Sequence, residues 1–126
     1  MVLRDGKLLY LSTKKLNWPS AVDACASLGM ELVSIASFAE QRVVAKLSDQ
    51  VGGNVWIGGY NYQKDRQWRW VGNGEVLKYK FWLDKQPDNY KNKQNCIRIS
   101  PIRGRMWDDL ECTAALPYIC EYKERK

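Results

Sequence analysis

Four cysteines constrain the fold of this chain more than any other feature: Cys25, Cys96, Cys112 and Cys120. Four cysteines allow three different pairings. None of them forms a CxxC pair, and the chain contains no histidine, which argues against a zinc site. An even number of widely spaced cysteines suits two disulfides formed in an oxidising compartment and favours secretion. Four buried free thiols are the alternative.

The composition predicts one folded domain over residues 1–126. Hydrophobic residues make up 45% of the chain and charged residues 27%, a balance that supports a buried core and argues against disorder. No stretch approaches about eighteen consecutive apolar residues, so we expect no membrane insertion. Aromatic side chains are frequent, and we expect five tryptophans in the core: Trp18, Trp56, Trp70, Trp82 and Trp107.

Local signals predict two helices among short strands. Asn17 is a suitable N-cap, and Pro19 falls in the first turn of a helix that ends at Gly29. Ser37 to Glu40 have the form of a capping box, which predicts a second helix. Strands are predicted over residues 7–12, 30–35, 55–59, 96–99, 106–109 and 118–122.

Residues 60–93 show little sustained periodicity and predict a long ordered loop region, which in a compact domain is usually functional. Near its end and in the strands beyond lie side chains that carry oxygen atoms: Gln86, Asp88, Gln94, Asp108 and Asp109. Carboxylates and amides of this kind are the hard ligands of calcium. The sequence therefore predicts a calcium site that binds sugar.

Motifs along the chain resemble those of the C-type lectin domain, from about Tyr10 to Tyr122. They are Trp18 with Ala21 and Cys25, Glu31-Leu32-Val33-Ser34-Ile35, Glu40-Gln41, Trp56-Ile57-Gly58-Gly59, Gln86-Pro87-Asp88, Trp107-Asp108-Asp109-Leu110, Cys112 and Pro117-Tyr118-Ile119-Cys120-Glu121. The resemblance implies an α+β C-type lectin-like fold with two helices, two small antiparallel sheets and a long calcium-binding loop region. It also implies the nested disulfides Cys25–Cys120 and Cys96–Cys112 of the short form of the domain.

The resemblance implies which residues hold Ca²⁺ and sugar. The implied metal ligands are Gln86, Asp88, Gln94, Asp108 and Asp109. The implied carbohydrate-binding residues are Gln86, Asp88, Tyr90, Gln94 and Asp108. The family normally has Glu where Gln94 stands and Asn where Asp108 stands, so the two exchanges leave the number of carboxylates unchanged.

The Gln86-Pro87-Asp88 tripeptide resembles that of galactose-type members, in which an aromatic such as Tyr90 stacks on the sugar. The exchanges at Gln94 and Asp108 invert the second pair of ligands as well. A mannose-type glycan is therefore an alternative ligand. A second calcium site of the family matches Asn61, Asp65, Asn89, Gln94 and Asn95. Because that set contains a single carboxylate, we expect the second site to be empty or weak.

The net charge of +6 supports an alternative function. A basic cluster surrounds the predicted site: Lys85, Lys91, Lys93, Arg98, Arg103 and Arg105. The alternative is a calcium-independent C-type lectin-like module that binds a protein or an acidic polysaccharide through this basic loop face. The cluster could also extend recognition to acidic or sulfated glycans, or serve only as a solvated surface. No nucleic-acid-binding motif is present.

The residues argue against an enzyme, because the chain has no histidine and no base is placed to activate a nucleophile. We therefore expect a secreted, extracellular glycan-binding domain. Similar secreted lectins imply recognition of microbial or cell-surface glycans and a role in innate immunity. With neither heptads nor spare cysteines, the expected assembly is a monomer or a small oligomer.

Overall fold

The computed structural model describes residues 2–4, 7–62, 67–83, 95–102 and 104–123. These residues form two helices and eight strands. In chain order they are β1 (Val2–Arg4), β2 (Lys7–Leu16), α1 (Trp18–Ser27), β3 (Glu31–Leu32), α2 (Phe38–Ser48), β4 (Val55–Tyr62), β5 (Gln67–Trp70), β6 (Cys96–Ile99), β7 (Trp107–Leu110) and β8 (Leu116–Lys123). Neither of these helices has the length and apolar character needed to cross a membrane.

Both predicted helices are present, and each begins at its predicted cap. The side chain of Asn17 accepts a hydrogen bond from the Ser20 amide at 2.9 Å, and Ser37 Oγ accepts one from the Glu40 amide at 3.2 Å. The Glu40 carboxylate does not complete a capping box with Ser37. It accepts from the Ala36 amide at 2.8 Å instead, so it satisfies the backbone one residue earlier than the usual box does.

The described strands form one sheet in the order β1-β2-β8-β4-β6-β7, with β3 beside β8 and β5 beside β4. The resemblance implied two small sheets. The two halves are joined by a single parallel pair, Trp56 with Tyr118. Both side chains are buried, so the junction lies inside the core, where neighbouring side chains cover it.

The fold differs from the predicted elements at several places, including the unpredicted strand β1 and the extension of β2 to Leu16. Strand β5 lies inside the region predicted as loop, where Trp68 and Trp70 alternate with polar residues and pair with β4. Such alternation is a strand signal, but it covers only four residues. Strand β3 is shorter than predicted, although the Val33 amide still donates to the Ile119 carbonyl at 3.0 Å.

The disulfides are those that the resemblance implied. Cys25 pairs with Cys120 across 95 residues, and Cys96 pairs with Cys112 across 16 residues. In the chain-entropy model each bridge contributes about 3 to 5 kcal/mol by restricting the unfolded chain. The first ties α1 to β8, and the second ties the start of β6 to the residues that follow β7.

A close backbone approach explains the glycine at position 58. A Cβ atom there would stand 2.8 Å from the Leu32 carbonyl oxygen and 3.0 Å from that of Val33. The Gly58 amide donates to the Val33 carbonyl at 2.8 Å. A side chain at this position would therefore push β4 away from the segment that follows β3.

A buried carboxylate and a lysine connect β2, β8 and the start of α2. Glu121 is 1% exposed, and its Oε1 accepts from the amide and hydroxyl of Ser34 at 2.6 and 2.7 Å. Lys7 Nζ lies 3.4 Å from Glu121 Oε2, an ion-pair distance without a hydrogen bond, and donates to Glu40 Oε1 at 3.0 Å. The single ammonium group therefore interacts with two carboxylates and offsets part of their combined charge.

Replacement of the lysine tests this ion cluster. Lys7→Met leaves the buried Glu121 carboxylate without its cation, and we expect the free energy of unfolding to fall by about 3 to 5 kcal/mol. Chemical denaturation at neutral pH measures the change. The matched control is Lys14→Met on the exposed part of the same strand, and equal effects of the two substitutions would contradict the assignment.

Candidate functional site

The structure describes two of the five predicted calcium ligands. Asp108 and Asp109 lie on β7. The predicted ligands Gln86, Asp88 and Gln94, and the predicted stacking residue Tyr90, lie outside the described residues. Of the second predicted site, Asn61 and Asn95 are described, whereas Asp65 and Asn89 are not.

Burial of Trp107 positions the two aspartates that follow it. Its indole is fully buried, and its ring centroid lies 5.5 Å from Trp70 and 5.9 Å from both Tyr79 and Trp82. The Trp107 amide donates to the Phe81 carbonyl at 2.7 Å. Burial also raises the pKa of the Tyr79 phenol, because the charged form loses hydration. Edge-to-face aromatic packing of this kind fixes where β7 begins.

The pairing of β6 with β7 sends the two aspartates to opposite faces of the sheet. Asp108 stands opposite Arg98, and Asp109 stands opposite Ile97. Successive side chains of a strand alternate between its two faces. The disulfide Cys96–Cys112 closes the same pair, with 5.3 Å between its Cα atoms. The register of this strand pair is therefore fixed both by the burial of Trp107 and by the Cys96–Cys112 disulfide.

Two asparagine side chains bring buried oxygen atoms to the neighbouring strand pair. The backbone amide of Asn61 donates to the backbone carbonyl of Asn95 at 2.9 Å, so the two residues face each other across β4 and the start of β6. The Oδ1 atoms of both side chains are buried and make no hydrogen bond to the described part of the chain. By strand alternation they fall on the face of Ile97 and Asp109. Buried oxygens without donors commonly indicate a bound water or ion.

On the opposite face, Asp108 is already paired with a cation. Arg98 Nη2 donates to Asp108 Oδ2 at 2.6 Å, with the two side chains 24% and 15% exposed. The sequence placed Arg98 in a solvent-facing basic cluster and Asp108 among the calcium ligands. The structure instead joins them across the β6–β7 pair. The role of Asp108 as a calcium ligand stays a prediction.

Arg105, another member of the predicted basic cluster, also points inward. It is 5% exposed, donates through Nε to Asp49 Oδ1 at 2.8 Å, and donates through Nη1 to the Gly53 carbonyl at 2.7 Å. Lys85, Lys91, Lys93 and Arg103 lie outside the described residues. The assignment of Arg105 to a basic surface is therefore wrong, because its guanidinium is buried. Arg98 is partly exposed, and its charge is paired with Asp108.

The described donors fit a hard cation in type. The carboxylates of Asp108 and Asp109 and the amide oxygens of Asn61 and Asn95 are oxygen ligands, which calcium prefers. Over the described ranges, no three acidic, cysteine or histidine side chains come together as a metal-binding group. Calcium takes roughly six to eight oxygen ligands. To reach that number, the site would also need Gln86, Asp88 and Gln94 of the segment 84–94.

Comparison with known proteins identifies the family. Residues 14–122 match the family model described as the lectin C-type domain. The chain belongs to the C-type lectin family. This is a family of carbohydrate-binding domains, and membership indicates no enzymatic activity.

Individual C-type lectins resemble the chain in sequence and structure. Lectin subunit alpha of Sarcophaga peregrina is 32% identical over 93% of this chain, which spans 45% of that protein's length. The crystal structure of the C-type lectin CEL-I from Cucumaria echinata superposes with a TM-score of 0.88 at 26% identity, covering 97% of this chain and 94% of that one.

A second similar structure is described as a calcium-independent type II antifreeze protein. It superposes with a TM-score of 0.86 at 29% identity, covering 97% of this chain and 90% of that one. Likeness of fold at this level therefore does not distinguish calcium-dependent from calcium-independent members.

Gln41 supports the site, although no role in the site was predicted for it. Its Oε1 accepts from Trp107 Nε1 at 2.8 Å, and its Nε2 donates to the Gly104 and Arg105 carbonyls at 3.1 and 2.9 Å. Gln41 lies one turn before Val44 on the buried stripe of α2. A polar residue on an apolar stripe is the signal that could have revealed it, because buried amides need partners.

Removal of the Gln41 amide tests this support. Gln41→Leu leaves the Trp107 indole N–H and two backbone carbonyls without their partner, so we expect a loss of about 2 to 4 kcal/mol in the free energy of unfolding. Denaturant titration measures the loss. Gln50→Leu, at an exposed position just beyond the same helix, is the control, and a Gln41 effect no larger than the control would refute the role.

Proposed function

We propose that the chain is a single carbohydrate-recognition domain over residues 1–126 that binds a glycan in a calcium-dependent manner. The observation that carries the proposal is the paired strand β7, on which the predicted ligands Asp108 and Asp109 are adjacent and held in register by β6. Asn61 and Asn95, which match the second calcium site of the family, present Oδ1 atoms without a hydrogen-bond donor among the described residues and support an ion near the same strands. The strand that bears Asp108 and Asp109 is fixed by Trp107.

The proposed ligands are Gln86, Asp88, Gln94, Asp108 and Asp109. When bound there, Ca²⁺ supplies coordination positions for two neighbouring hydroxyls of a sugar. The carboxylates of Asp88 and Asp108 would accept hydrogen bonds from those hydroxyls, and the amides of Gln86 and Gln94 would donate to them. These four side chains would therefore orient the sugar as well as hold the ion.

Galactose or a related terminal sugar is the favoured ligand. Gln86-Pro87-Asp88 has the galactose-type order, and Tyr90 offers an aromatic face for the apolar side of the ring. Mannose-type ligands stay open because Gln94 and Asp108 invert the second ligand pair. The lysines near this segment, Lys85, Lys91 and Lys93, would extend binding to acidic or sulfated glycans.

Two disulfides support an extracellular location, because such bridges persist in oxidising compartments. A secreted domain of this kind would recognise microbial or cell-surface glycans, and we propose a role in innate immunity on that basis. A monomer or small oligomer is the proposed assembly. A single weak glycan site commonly gains avidity from multivalency.

A second candidate is a calcium-independent module that binds a protein or an acidic polysaccharide. The ion pair between Arg98 and Asp108 supports it, since that carboxylate is already neutralised within the chain. The similar antifreeze structure, described as calcium-independent, supports it too. Its binding would depend on salt and not on a chelator, because long-range attraction between charges is screened by ions.

Calorimetric titration tests the calcium site first and the sugar second. We expect calcium to bind the native chain in the range of about 0.1 to 1 mM typical of extracellular modules, and galactose to bind only afterwards. Asp88→Ala should abolish both steps. Asp23→Ala, an exposed change on α1, should alter neither.

The competing outcomes separate the candidates. Preference for mannose over galactose would mean that the inversion at Gln94 and Asp108 overrides the tripeptide. Absence of calcium binding, combined with salt-sensitive binding to heparin used as an acidic probe, would favour the calcium-independent module.

A further inference from the structure

Arg98 is a positive charge held at a predicted ligand of the calcium site. It projects from β6 directly opposite Asp108 of β7. Its Nη2 lies 2.6 Å from Asp108 Oδ2, a short charge-assisted hydrogen bond. A carboxylate bound in this way has already lost part of its capacity to attract a second cation.

One further donor of the Arg98 side chain is unsatisfied. Its Nε–H is buried and finds no hydrogen-bond acceptor among the described residues. A buried donor without a partner is unfavourable. The contact with Asp108 is the ion pair that the structure records for this side chain, so the guanidinium position depends on that carboxylate.

Calcium and this guanidinium would compete for the same carboxylate group. A calcium ligand lies about 2.3 to 2.6 Å from the ion, which would bring a doubly charged ion within a few ångströms of the guanidinium. Like charges at such a separation repel, and partial burial weakens the screening by solvent. The guanidinium occupies Asp108 Oδ2, so a bound calcium ion and the bound guanidinium weaken each other's interaction with this carboxylate.

We propose that Arg98 is an internal competitor that sets the calcium affinity of the site. The inference rests on the proposed function, because it takes Asp108 as a calcium ligand. Binding of the ion at Oδ2 requires the Arg98 side chain to leave that oxygen, and its 24% exposure gives the guanidinium a route to solvent. Since the competitor is attached to the chain, its effective concentration is fixed and lowers the affinity at every protein concentration.

Removal of the competitor should strengthen calcium binding. We expect Arg98→Gln to bind calcium about tenfold more tightly than the native chain, the change that corresponds to about 1.4 kcal/mol of recovered interaction. Calorimetry measures the affinity, and the calcium-induced rise in melting temperature gives a second readout. Arg42→Gln, at an exposed position of α2, removes the same formal charge elsewhere and controls for a general effect of net charge.

A double variant shows whether the gain acts through Asp108. In Arg98→Gln with Asp108→Asn, the gain should disappear, because the released carboxylate is no longer present. Melting curves in chelator establish that each variant folds. If Arg98→Gln does not fold, Arg98→Met keeps a side chain of similar reach without the charge and replaces it in the same comparison.

Each result has a defined meaning. Native-like or weaker calcium affinity in Arg98→Gln, with calcium binding to the native chain intact, would overturn the competitor and leave the proposed function standing. Binding by Arg98→Gln alone would support the competitor and overturn calcium dependence of the native chain. Binding by neither protein would overturn both, since Asp108 would then fail to hold calcium even when released.

Discussion

The burial of Trp107 is the constraint on which the arrangement of the site depends. Its indole packs against Trp70, Tyr79 and Trp82 and donates to Gln41. With that side chain fixed in the core, the next two residues have no freedom to change register. Asp108 and Asp109 therefore occupy set positions on a rigid strand, and rigid support is what ligands of an ion site require.

Several of the basic side chains form ion pairs within the fold. Lys7, Arg98 and Arg105 each bind an acidic side chain within the fold. The formal charge of +6 therefore does not show which basic residues lie on the surface. The Arg98 pair has the most direct bearing on function, because the carboxylate that it neutralises is a predicted ligand. If the proposed competition holds, the balance between calcium and the attached guanidinium decides whether this chain acts in a calcium-dependent manner.

Local chemistry made much of the fold predictable. The caps at Asn17 and Ser37 each depend on a few neighbouring residues, so a short pattern was enough to locate both helices. The disulfide pairing needed the family resemblance, since four cysteines alone leave three pairings open. The junction of the two sheet halves at Trp56 and Tyr118 joins residues distant in sequence, and no local pattern marks it.

The candidate site was less predictable, because its contacts also depend on how strands pair and not on a local pattern. Its ligand set followed from resemblance, whereas the pairing of Arg98 with Asp108 depends on the register of two strands. Periodicity places a side chain on a face but does not choose its partner across the sheet. Gln41 shows the same limit, because its three contacts reach residues 63 to 66 positions away.

The most direct test of the account is a calcium titration followed by NMR, observing the Arg98 Nε–H and the backbone amides of Asp108 and Asp109. Binding at this site predicts that calcium shifts all three signals together, and that galactose then shifts the backbone amides further. If the three signals stay in place at about 10 mM calcium, beyond the usual range for extracellular calcium modules, the calcium-dependent account is contradicted.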